Sequence, residues 1–190
     1  QCLDKLEPGP VMVEDKKIPL DADVNTLLTS WKLPQSRFTE KDKVTLRRLL
    51  THSAGLTVWG FPGYDLSKPV PTVPQLLDGT APANTPAVRN DTFPGAMWRY
   101  SGGGITIAQL VATDMSGESF PSLMKRLMLD PAGMKRSTYE NPLPVNRRGE
   151  AASGHEALDT PVPGGFHAYP EMAAAGLWTT ASDLARWAIA

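Results

Sequence analysis

A tyrosine, a serine and three glycines stand together near the middle of the chain, in an order that can do proton chemistry. Residues 93–104 read Phe-Pro-Gly-Ala-Met-Trp-Arg-Tyr-Ser-Gly-Gly-Gly, so Tyr100 directly precedes a glycine-rich helix start. Free N–H groups and the dipole at a helix N-terminus stabilise negative charge, and glycines let a substrate approach the backbone. A tyrosine held there can pass a proton to or from a nucleophile. Taken alone, the residues favour a plainer alternative, a buried tyrosine ahead of a helix cap.

Few other side chains have a clear chemical role. Cys2 is the single cysteine, so neither an internal disulfide nor a cysteine zinc cluster can form. The histidines, which are far apart in sequence and show no metal-ligand spacing, are His52, His155 and His167. We therefore expect no metal and no cofactor. His52 either faces a site or fixes a loop through hydrogen bonds, and such a segment favours the second role.

Two loops carry candidates for lining a pocket. Trp59, Phe61 and Tyr64 form an aromatic group that would either line an acyl or peptide pocket or cover the core. Gly176 follows three alanines, and small residues allow close approach to the backbone. Glu171 adds a carboxylate to the same stretch, but the sequence assigns it no partner acid or base.

Residues with helix-capping side chains divide the chain into short helices. Thr45, Thr72, Ser119 and Thr180 each precede apolar residues at helical spacing, which predicts a helix after each of them. Gly55 is predicted to end the first of these helices, because glycine readily adopts the left-handed conformation after a helix end.

The strongest helical pattern directly follows the tyrosine. It covers 103–116 and ends at Gly117. Its predicted inward positions are Ile105, Ala108, Val111, Ala112 and Met115. The last helix of the chain is predicted to bury Leu184, Trp187 and Ala188. Strand patterns are short, at 10–13 and 176–179, so the pattern as a whole predicts a domain rich in helices and loops.

Composition excludes several classes of protein. The 190 residues are 41% hydrophobic and 21% charged, which predicts a single globular domain over 1–190. A net charge of −1 gives no basic excess for nucleic-acid binding. No apolar run reaches the roughly 20 residues of a membrane-spanning helix.

Five segments resemble, in the same order, motifs of the serine β-lactamase and penicillin-binding-protein hydrolases. This family includes class C β-lactamases, D-alanyl-D-alanine carboxypeptidases and related esterases. Residues 19–24 resemble its "LDDPV" segment, 49–56 its "LLTHTSGL" and 100–102 its Tyr-x-Asn. Residues 130–138 resemble "PLGM…ST", and 174–185 resemble "GGLxSTAxDLA". Each motif is moderately specific, whereas their common order is highly specific.

The resemblance implies an α+β fold of the β-lactamase/transpeptidase type, of which this chain supplies mainly the helical region, with long loops and few strands. It implies acyl transfer by a serine nucleophile on a small ester, an amide or a D-amino-acid peptide. Tyr100 would be the proton shuttle, Ser101 and Gly102 would line the substrate site, and Gly176 would be a structural residue at its edge. With Trp59 from the aromatic group, the last three are the candidate substrate-binding residues. Because relatives are often exported, it also points to a periplasmic or secreted protein.

Two departures from the family pattern concern chemistry. Gly102 stands where the Tyr-x-Asn motif has asparagine, so no side chain there can bind a substrate amide. The Ser-x-x-Lys nucleophile motif would have to precede Leu20, and no serine does so. Cys2 and Lys5 have the spacing of that motif and are candidates for it. The prolines within 8–10 would break the helix that should carry the motif, which favours an incidental thiol.

A third departure concerns the end of the chain. No Lys-Thr-Gly or His-x-Gly strand follows Asp183, so we expect a domain truncated at both ends. The apolar faces of 103–116 and 184–190 would then be partly exposed, which predicts a homo-oligomer or a second fragment that completes the fold. The rival to a hydrolase that binds a small molecule or peptide is a non-catalytic homologue acting as a binding scaffold.

Overall fold

The computed structural model describes residues 12–14, 18–156 and 160–189. Besides a helical stretch at 12–14, the α-helices of this part of the chain are α1 (Val24–Leu27), α2 (Leu46–Leu50), α3 (Val73–Asp78), α4 (Gly102–Ser116), α5 (Phe120–Met124), α6 (Met172–Ala175) and α7 (Ala181–Ile189). Helix α5 continues into a π-helical turn at Lys125–Leu129, and a 3-10 turn covers Val145–Glu150. The prediction of a helix-rich and loop-rich chain is confirmed.

Strand pairing is slight in the described residues. It consists of isolated antiparallel bridges, such as the one between Thr138 and Trp178. The short strand predicted over 176–179 is therefore reduced to a single bridge residue. The strand predicted over 10–13 is wrong where it can be compared, because Met12 and Val13 are helical.

Helix α4 lies at the centre of the fold, and α1, α2, α3, α5 and α6 all pack against it. Its side chains Ile107 and Val111 are completely buried. One apolar cluster fills the space between α4 and the four helices α1, α2, α3 and α5, and a second, which includes Met124 and Met134, lies beside α5. The helix that begins at the Tyr-Ser-Gly segment is thus the element on which the rest of the chain is built.

The predicted helix caps are confirmed. Each capping hydroxyl accepts a hydrogen bond from the backbone N–H three residues later; the pairs are Thr45 with Arg48, Thr72 with Gln75, Ser119 with Ser122 and Thr180 with Asp183. Such bonds satisfy amide groups that have no partner inside the helix. Short polar motifs in the sequence therefore located the helix starts correctly.

The predicted end of α2 is wrong. Its left-handed residue is His52, with φ 54°, and not Gly55, which lies further along the loop. The N–H of His52 bonds to the carbonyl of Leu49, and that of Ser53 bonds to Arg48, which is the Schellman arrangement of a helix C-terminus. A histidine thus occupies the position at which glycine is most common.

The predicted inward face of α4 is partly wrong. Val111 and Ala112 are buried, but Ile105 and Ala108 are half-buried and Met115 is exposed. Because helices surround α4 on several sides, its buried surface extends beyond the stripe that apolar spacing marks. It includes the polar side chain of Gln109, which bonds to the backbone of Pro170 and of Ala173.

The predicted buried face of α7 is also wrong, since Leu184 is 44% exposed, Ala188 is exposed and Trp187 is half-buried. The side chain that α7 buries is Asp183. The expectation that α7 would leave apolar side chains partly exposed is confirmed by the same observation.

Asp183 joins two segments of the family pattern. Its carboxylate accepts hydrogen bonds from the Arg136 N–H at 2.8 Å, the Ser137 hydroxyl at 2.8 Å and the Arg186 guanidinium at 2.6 Å. Burial favours the neutral acid, but these bonds outweigh burial and hold the pKa of Asp183 below its usual range. The serine of "PLGM…ST" and the aspartate of "GGLxSTAxDLA" are therefore structural partners.

Two neighbouring glycines of α4 predict opposite responses to alanine. A Cβ on Gly103 would lie 2.7 and 2.9 Å from the two methyl groups of Val88, whereas a Cβ on Gly104 would meet Leu56 at an ordinary 3.4 Å. We expect Gly103→Ala to lower the free energy of unfolding by about 1–3 kcal/mol through overpacking. Gly104→Ala should leave it unchanged or raise it by up to about 1 kcal/mol, because alanine favours helix. Urea unfolding of both variants measures this, and equal effects would contradict the packing described.

Candidate active site

Tyr100 lies at the edge of an apolar groove of about 380 Å³. Helix α4 contributes Ile105 and Ala108 to its wall, and α7 contributes Leu184 and Trp187. Among the described residues no aspartate, glutamate, lysine or arginine lines the groove. The Tyr100 side chain is 48% exposed, so the prediction from the residues alone of a buried tyrosine is wrong. A phenol is thus presented to an open, uncharged cleft.

His52 holds the segment that carries Tyr100. Its imidazole ring packs against the phenol ring with 4.5 Å between centroids, and Trp98 meets it edge-on at 6.1 Å. The Ser101 N–H donates to Nδ1 of His52 at 3.2 Å, and the Arg99 N–H donates to its carbonyl at 2.8 Å. The residue therefore contacts the backbone on both sides of the tyrosine.

The expectation of free amide groups beside Tyr100 is wrong. The N–H of Gly102 donates to the Trp59 carbonyl at 3.0 Å, and that of Gly103 donates to Val58 at 2.9 Å. The N–H of Gly104 donates to the Ser101 hydroxyl. The loop over 57–59 supplies the acceptors, so the start of α4 is closed by backbone instead of being open to a substrate anion.

Ser101 is engaged in the fold, which gives no support to the sequence-based prediction that it contacts a substrate. It is 3% exposed, and its hydroxyl donates to the Thr57 carbonyl at 2.9 Å while accepting from Gly104. The side chain is a helix N-cap with both of its hydrogen-bonding roles used. It fixes the start of α4 against the loop that precedes it.

Gly102 is buried and serves as a spacer. A Cβ there would lie 2.9 Å from the Trp59 carbonyl oxygen and 3.0 Å from the Phe61 ring. The loop over 57–61 thus fills the space that an asparagine side chain would need. The prediction that Gly102 contacts substrate gains no support on this face of the helix, and a glycine in place of the motif's asparagine has a steric reason.

The aromatic group of the preceding loop is divided between surface and core. Trp59 is 77% exposed, so it remains available to a ligand, whereas Tyr64 is 4% exposed and its hydroxyl accepts from the Asn84 N–H. Trp98, at 68% exposure, adds a second open indole beside the His52–Tyr100 pair. Exposed aromatic surface of this kind is typical of a ligand or partner site.

Gly176 is not brought to the groove, contrary to the interpretation that it contacts substrate beside Tyr100. It lines a separate pocket of about 420 Å³ with Tyr169 and Trp178. A Cβ there would lie 2.5 Å from Met172 Cα, and its carbonyl accepts from the Asn141 amide at 2.7 Å. Its lack of a side chain is required by the tight turn after α6.

Glu171 is a buried acid that sequence reasoning left without a role. It is completely buried, and neither carboxylate oxygen has a hydrogen-bond partner among the described residues. Burial raises the pKa of Glu171 to about 7. Burial also raises the pKa of Tyr64 and of Tyr169, and the charge of Glu171 adds to both effects. No feature of the sequence marked this residue, because glutamate is rarely buried unpaired.

The described residues hold no convincing nucleophile. Cys2 and Lys5, the candidates for the nucleophile motif, lie outside them. A Ser-x-x-Lys spacing does occur at Ser122 and Lys125, on the surface of α5 and the turn that follows. The Lys125 ammonium is bound to the Asp130 carboxylate at 2.6 Å, so it is not available as a base for Ser122.

Two residues with strained backbone form hydrogen bonds to the segment around Tyr100. His52 (φ 54°) and Val58 (φ 61°) are the non-glycine residues with positive φ in the described chain, and both bond to the segment Tyr100 belongs to. Positive φ is unfavourable for a β-branched residue, and such strain clusters at functional sites. The sequence gives no indication that Val58 has a positive φ. For His52 the nearby Gly55 suggested a different helix end, so the sequence did not reveal it either.

Neither a metal site nor a membrane span is found in the part of the chain that the structure describes. No cluster of three His, Cys, Asp or Glu side chains is placed to hold an ion. No described helix is both long and apolar enough to cross a bilayer.

Comparisons with known proteins identify one family and a set of solved structures with a similar fold. The family model described as Beta-lactamase matches residues 11–190. A beta-lactamase/D-alanine carboxypeptidase from Yersinia pestis has a TM-score of 0.66 and 17% identity over 98% of this chain and 51% of that one. The hydrolase EstCE1, described as having promiscuous acyltransferase activity, has a TM-score of 0.68 and 21% identity over 98% of this chain and 54% of that one.

An octameric penicillin-binding-protein homologue from Pyrococcus abyssi is also similar, with a TM-score of 0.58 and 21% identity over 93% of this chain and 40% of that one. No curated protein sequence matches the chain. The chain spans about half the length of the first solved structures it matches. Their fold is the β-lactamase/transpeptidase-like fold that the motifs implied, with mainly its helical region present here.

Proposed function

The chain belongs to the beta-lactamase family, and on that premise we propose that it forms part of a serine hydrolase that acts by acyl transfer. The substrate is a small ester, an amide or a D-amino-acid peptide. Tyr100 is the proton shuttle. The observation that carries the proposal is the placement of this phenol. It is half exposed at the edge of an apolar groove and packs against the half-buried ring of His52.

The groove is where we expect the segment that carries the nucleophile to pack. It is apolar, it is bounded by helices α4, α6 and α7, and Tyr100 lines it. A helix with apolar residues facing this wall and one serine at the level of Tyr100 would bring hydroxyl and phenol together. We propose that the Ser-x-x-Lys segment implied by the family lies there, and that 1–190 is an incomplete single domain.

Among the three substrate classes, the site favours esters. Gly102 offers no side chain to a substrate amide, and the loop over 57–61 leaves no room for one. The exposed ring of Trp98, which meets the His52 ring that packs on Tyr100, instead offers apolar surface beside the phenol. Trp59 is exposed on the loop that bonds to Gly102. An ester needs no amide recognition and has a better leaving group, so it is expected to react fastest.

A steady-state assay of the complete polypeptide tests this order. Short-chain p-nitrophenyl esters, a D-alanyl-D-alanine peptide and a chromogenic β-lactam should be compared at equal concentration. We expect ester hydrolysis to exceed β-lactam hydrolysis. Faster β-lactam hydrolysis would contradict the role given to Gly102, and no hydrolysis of any of the three would contradict acyl transfer itself.

A non-catalytic scaffold is the second candidate function. It is favoured by the engaged amides at the start of α4 and by the lack of an available nucleophile among the described residues. A scaffold would bind an apolar ligand or partner in the groove without turnover. The same panel of substrates separates the two candidates, because a scaffold hydrolyses none of them.

The exposed groove predicts self-association of the 190-residue chain on its own. Leu184 is 44% exposed on its rim, and Trp187 lies beside it. Covering such a patch in a second copy removes apolar area from water at about 25 cal/mol per Å². Light scattering should detect oligomers, and Leu184→Glu should shift them toward monomer. Lys135→Glu, also a surface charge change, is the control, and a monodisperse wild-type monomer would contradict the prediction.

A further inference from the structure

His52 occupies a helix end that the fold would fill better with glycine. It is the left-handed residue of the Schellman turn that closes α2, with φ 54°. Glycine adopts that conformation without the steric conflict of a Cβ, so it is the usual residue there. Helix closure therefore does not account for a histidine, and the explanation must lie in its ring.

The ring contacts Trp98, Tyr100 and the Ser101 N–H, all in the segment of the candidate proton shuttle. It packs on the phenol of Tyr100 at 4.5 Å, and its Nδ1 accepts the N–H of Ser101 at 3.2 Å. An acceptor nitrogen carries no proton, so the neutral ring has its hydrogen on Nε2. Burial lowers the pKa of His52 below its usual range, which keeps this neutral form at pH 7.

No charged partner among the described residues competes for the ring. Arg99 on the adjoining segment is paired with Asp91, and Arg48 on α2 lies 3.6 Å from Asp42. The stacked tyrosine is the titratable side chain in ring contact with His52. Protonation of Nδ1 would place two N–H groups against each other at Ser101, and the bond that orders the backbone next to the phenol would be lost.

We infer that His52 is a positioning residue for Tyr100: its neutral ring fixes the phenol by stacking and the next peptide by an Nδ1 hydrogen bond. The inference rests on the proposed function of Tyr100 as proton shuttle. Because the neutral ring is required, activity should be lost as pH falls through the titration of His52 and retained above it. His52 itself does not touch the reacting atoms.

The test uses the complete polypeptide with His52→Gly and His52→Asn, since both residues tolerate the left-handed conformation. We expect both variants to fold with no loss in unfolding midpoint, and to lose kcat by about 10–100-fold with a smaller change in KM. The acid limb of the kcat profile that follows His52 should disappear. His155→Gly, in an exposed loop, is the control and should keep rate and profile. Unchanged kcat in both His52 variants would overturn the inference.

A second readout does not depend on turnover. Nitrogen-15 NMR of the labelled histidines should show His52 with its proton on Nε2, and the Tyr100 ring resonances should shift as His52 titrates. If the polypeptide hydrolyses nothing but these signals appear, the proposed function fails while the positioning contact stands. A proton on Nδ1, or Tyr100 resonances that ignore the titration, would overturn the inference.

Discussion

Replacing Tyr100 with phenylalanine should lower kcat of the complete polypeptide by about 10²–10⁴-fold, the usual contribution of a positioned acid–base group. The change removes one oxygen atom. The ring is 48% exposed, and its hydroxyl makes no hydrogen bond to another described residue. Packing against His52 involves the ring and is retained. The unfolding midpoint should therefore stay the same, and the loss should appear in turnover.

Tyr169→Phe is the matched control for Tyr100→Phe. Tyr169 lines the neighbouring pocket with Gly176 and Trp178, and it is not among the residues that line the groove. Stopped-flow and steady-state rates with an activated ester should be little changed in this variant. A Tyr100→Phe protein that keeps its turnover within threefold of wild type would exclude Tyr100 as the proton shuttle.

Glutamine in place of Glu171 should change how stability depends on pH. The folded pKa of about 7 lies above the unfolded value of 4.5, so the folded state binds more protons between these values. The contribution of Glu171 to the free energy of unfolding should therefore fall as pH rises from 4.5 to about 7 and stay level above that. At about 1.4 kcal/mol per pKa unit, the fall attributable to Glu171 is on the order of 3 kcal/mol.

The measurement is the difference in unfolding free energy between Glu171→Gln and wild type at several pH values. A buried amide without partners has its own cost, but that cost does not change with pH. The difference should therefore shift in favour of the variant by about 3 kcal/mol between pH 4.5 and 8. Glu40→Gln, at an exposed position, is the control and should show little shift. A difference for Glu171→Gln that is constant with pH would show that the carboxyl has a partner.

Local polar chemistry explains what the sequence could predict. Thr45, Thr72, Ser119 and Thr180 cap helices because a short hydroxyl reaches an amide three residues away, and no distant contact is needed. The Tyr-Ser-Gly segment was found for the same reason. Its position at a helix start follows from neighbouring residues alone.

The sequence-based predictions that failed concern residues whose surroundings are formed by distant segments of the chain. The amides at the start of α4 are closed by the loop over 57–59, which lies more than 40 positions earlier in the chain. Gly102 is a spacer because Phe61 and the Trp59 carbonyl occupy the space beside it. Glu171 is completely buried, and its charge acts on Tyr64, which belongs to a distant part of the chain. None of these relations leaves a periodic pattern that spacing could reveal.

The motif order predicted the family correctly and the roles of single residues less well. Ser137 and Asp183 belong to two family segments, and the Ser137 hydroxyl donates to the Asp183 carboxylate at 2.8 Å, which joins these segments. Ser101 caps a helix, and Gly176 permits a turn. Much of the resemblance therefore reflects how the helices are held together. Tyr100, by contrast, is half exposed and lines the apolar groove.

Intact-mass analysis after brief mixing with an activated ester tests the central claim most directly. The complete polypeptide should gain one acyl group, and peptide mapping should place it on a serine in a Ser-x-x-Lys segment. The adduct should form more slowly in the Tyr100→Phe variant. A folded protein that gains no acyl group would be a scaffold, and an acyl group on Cys2 would contradict a serine nucleophile.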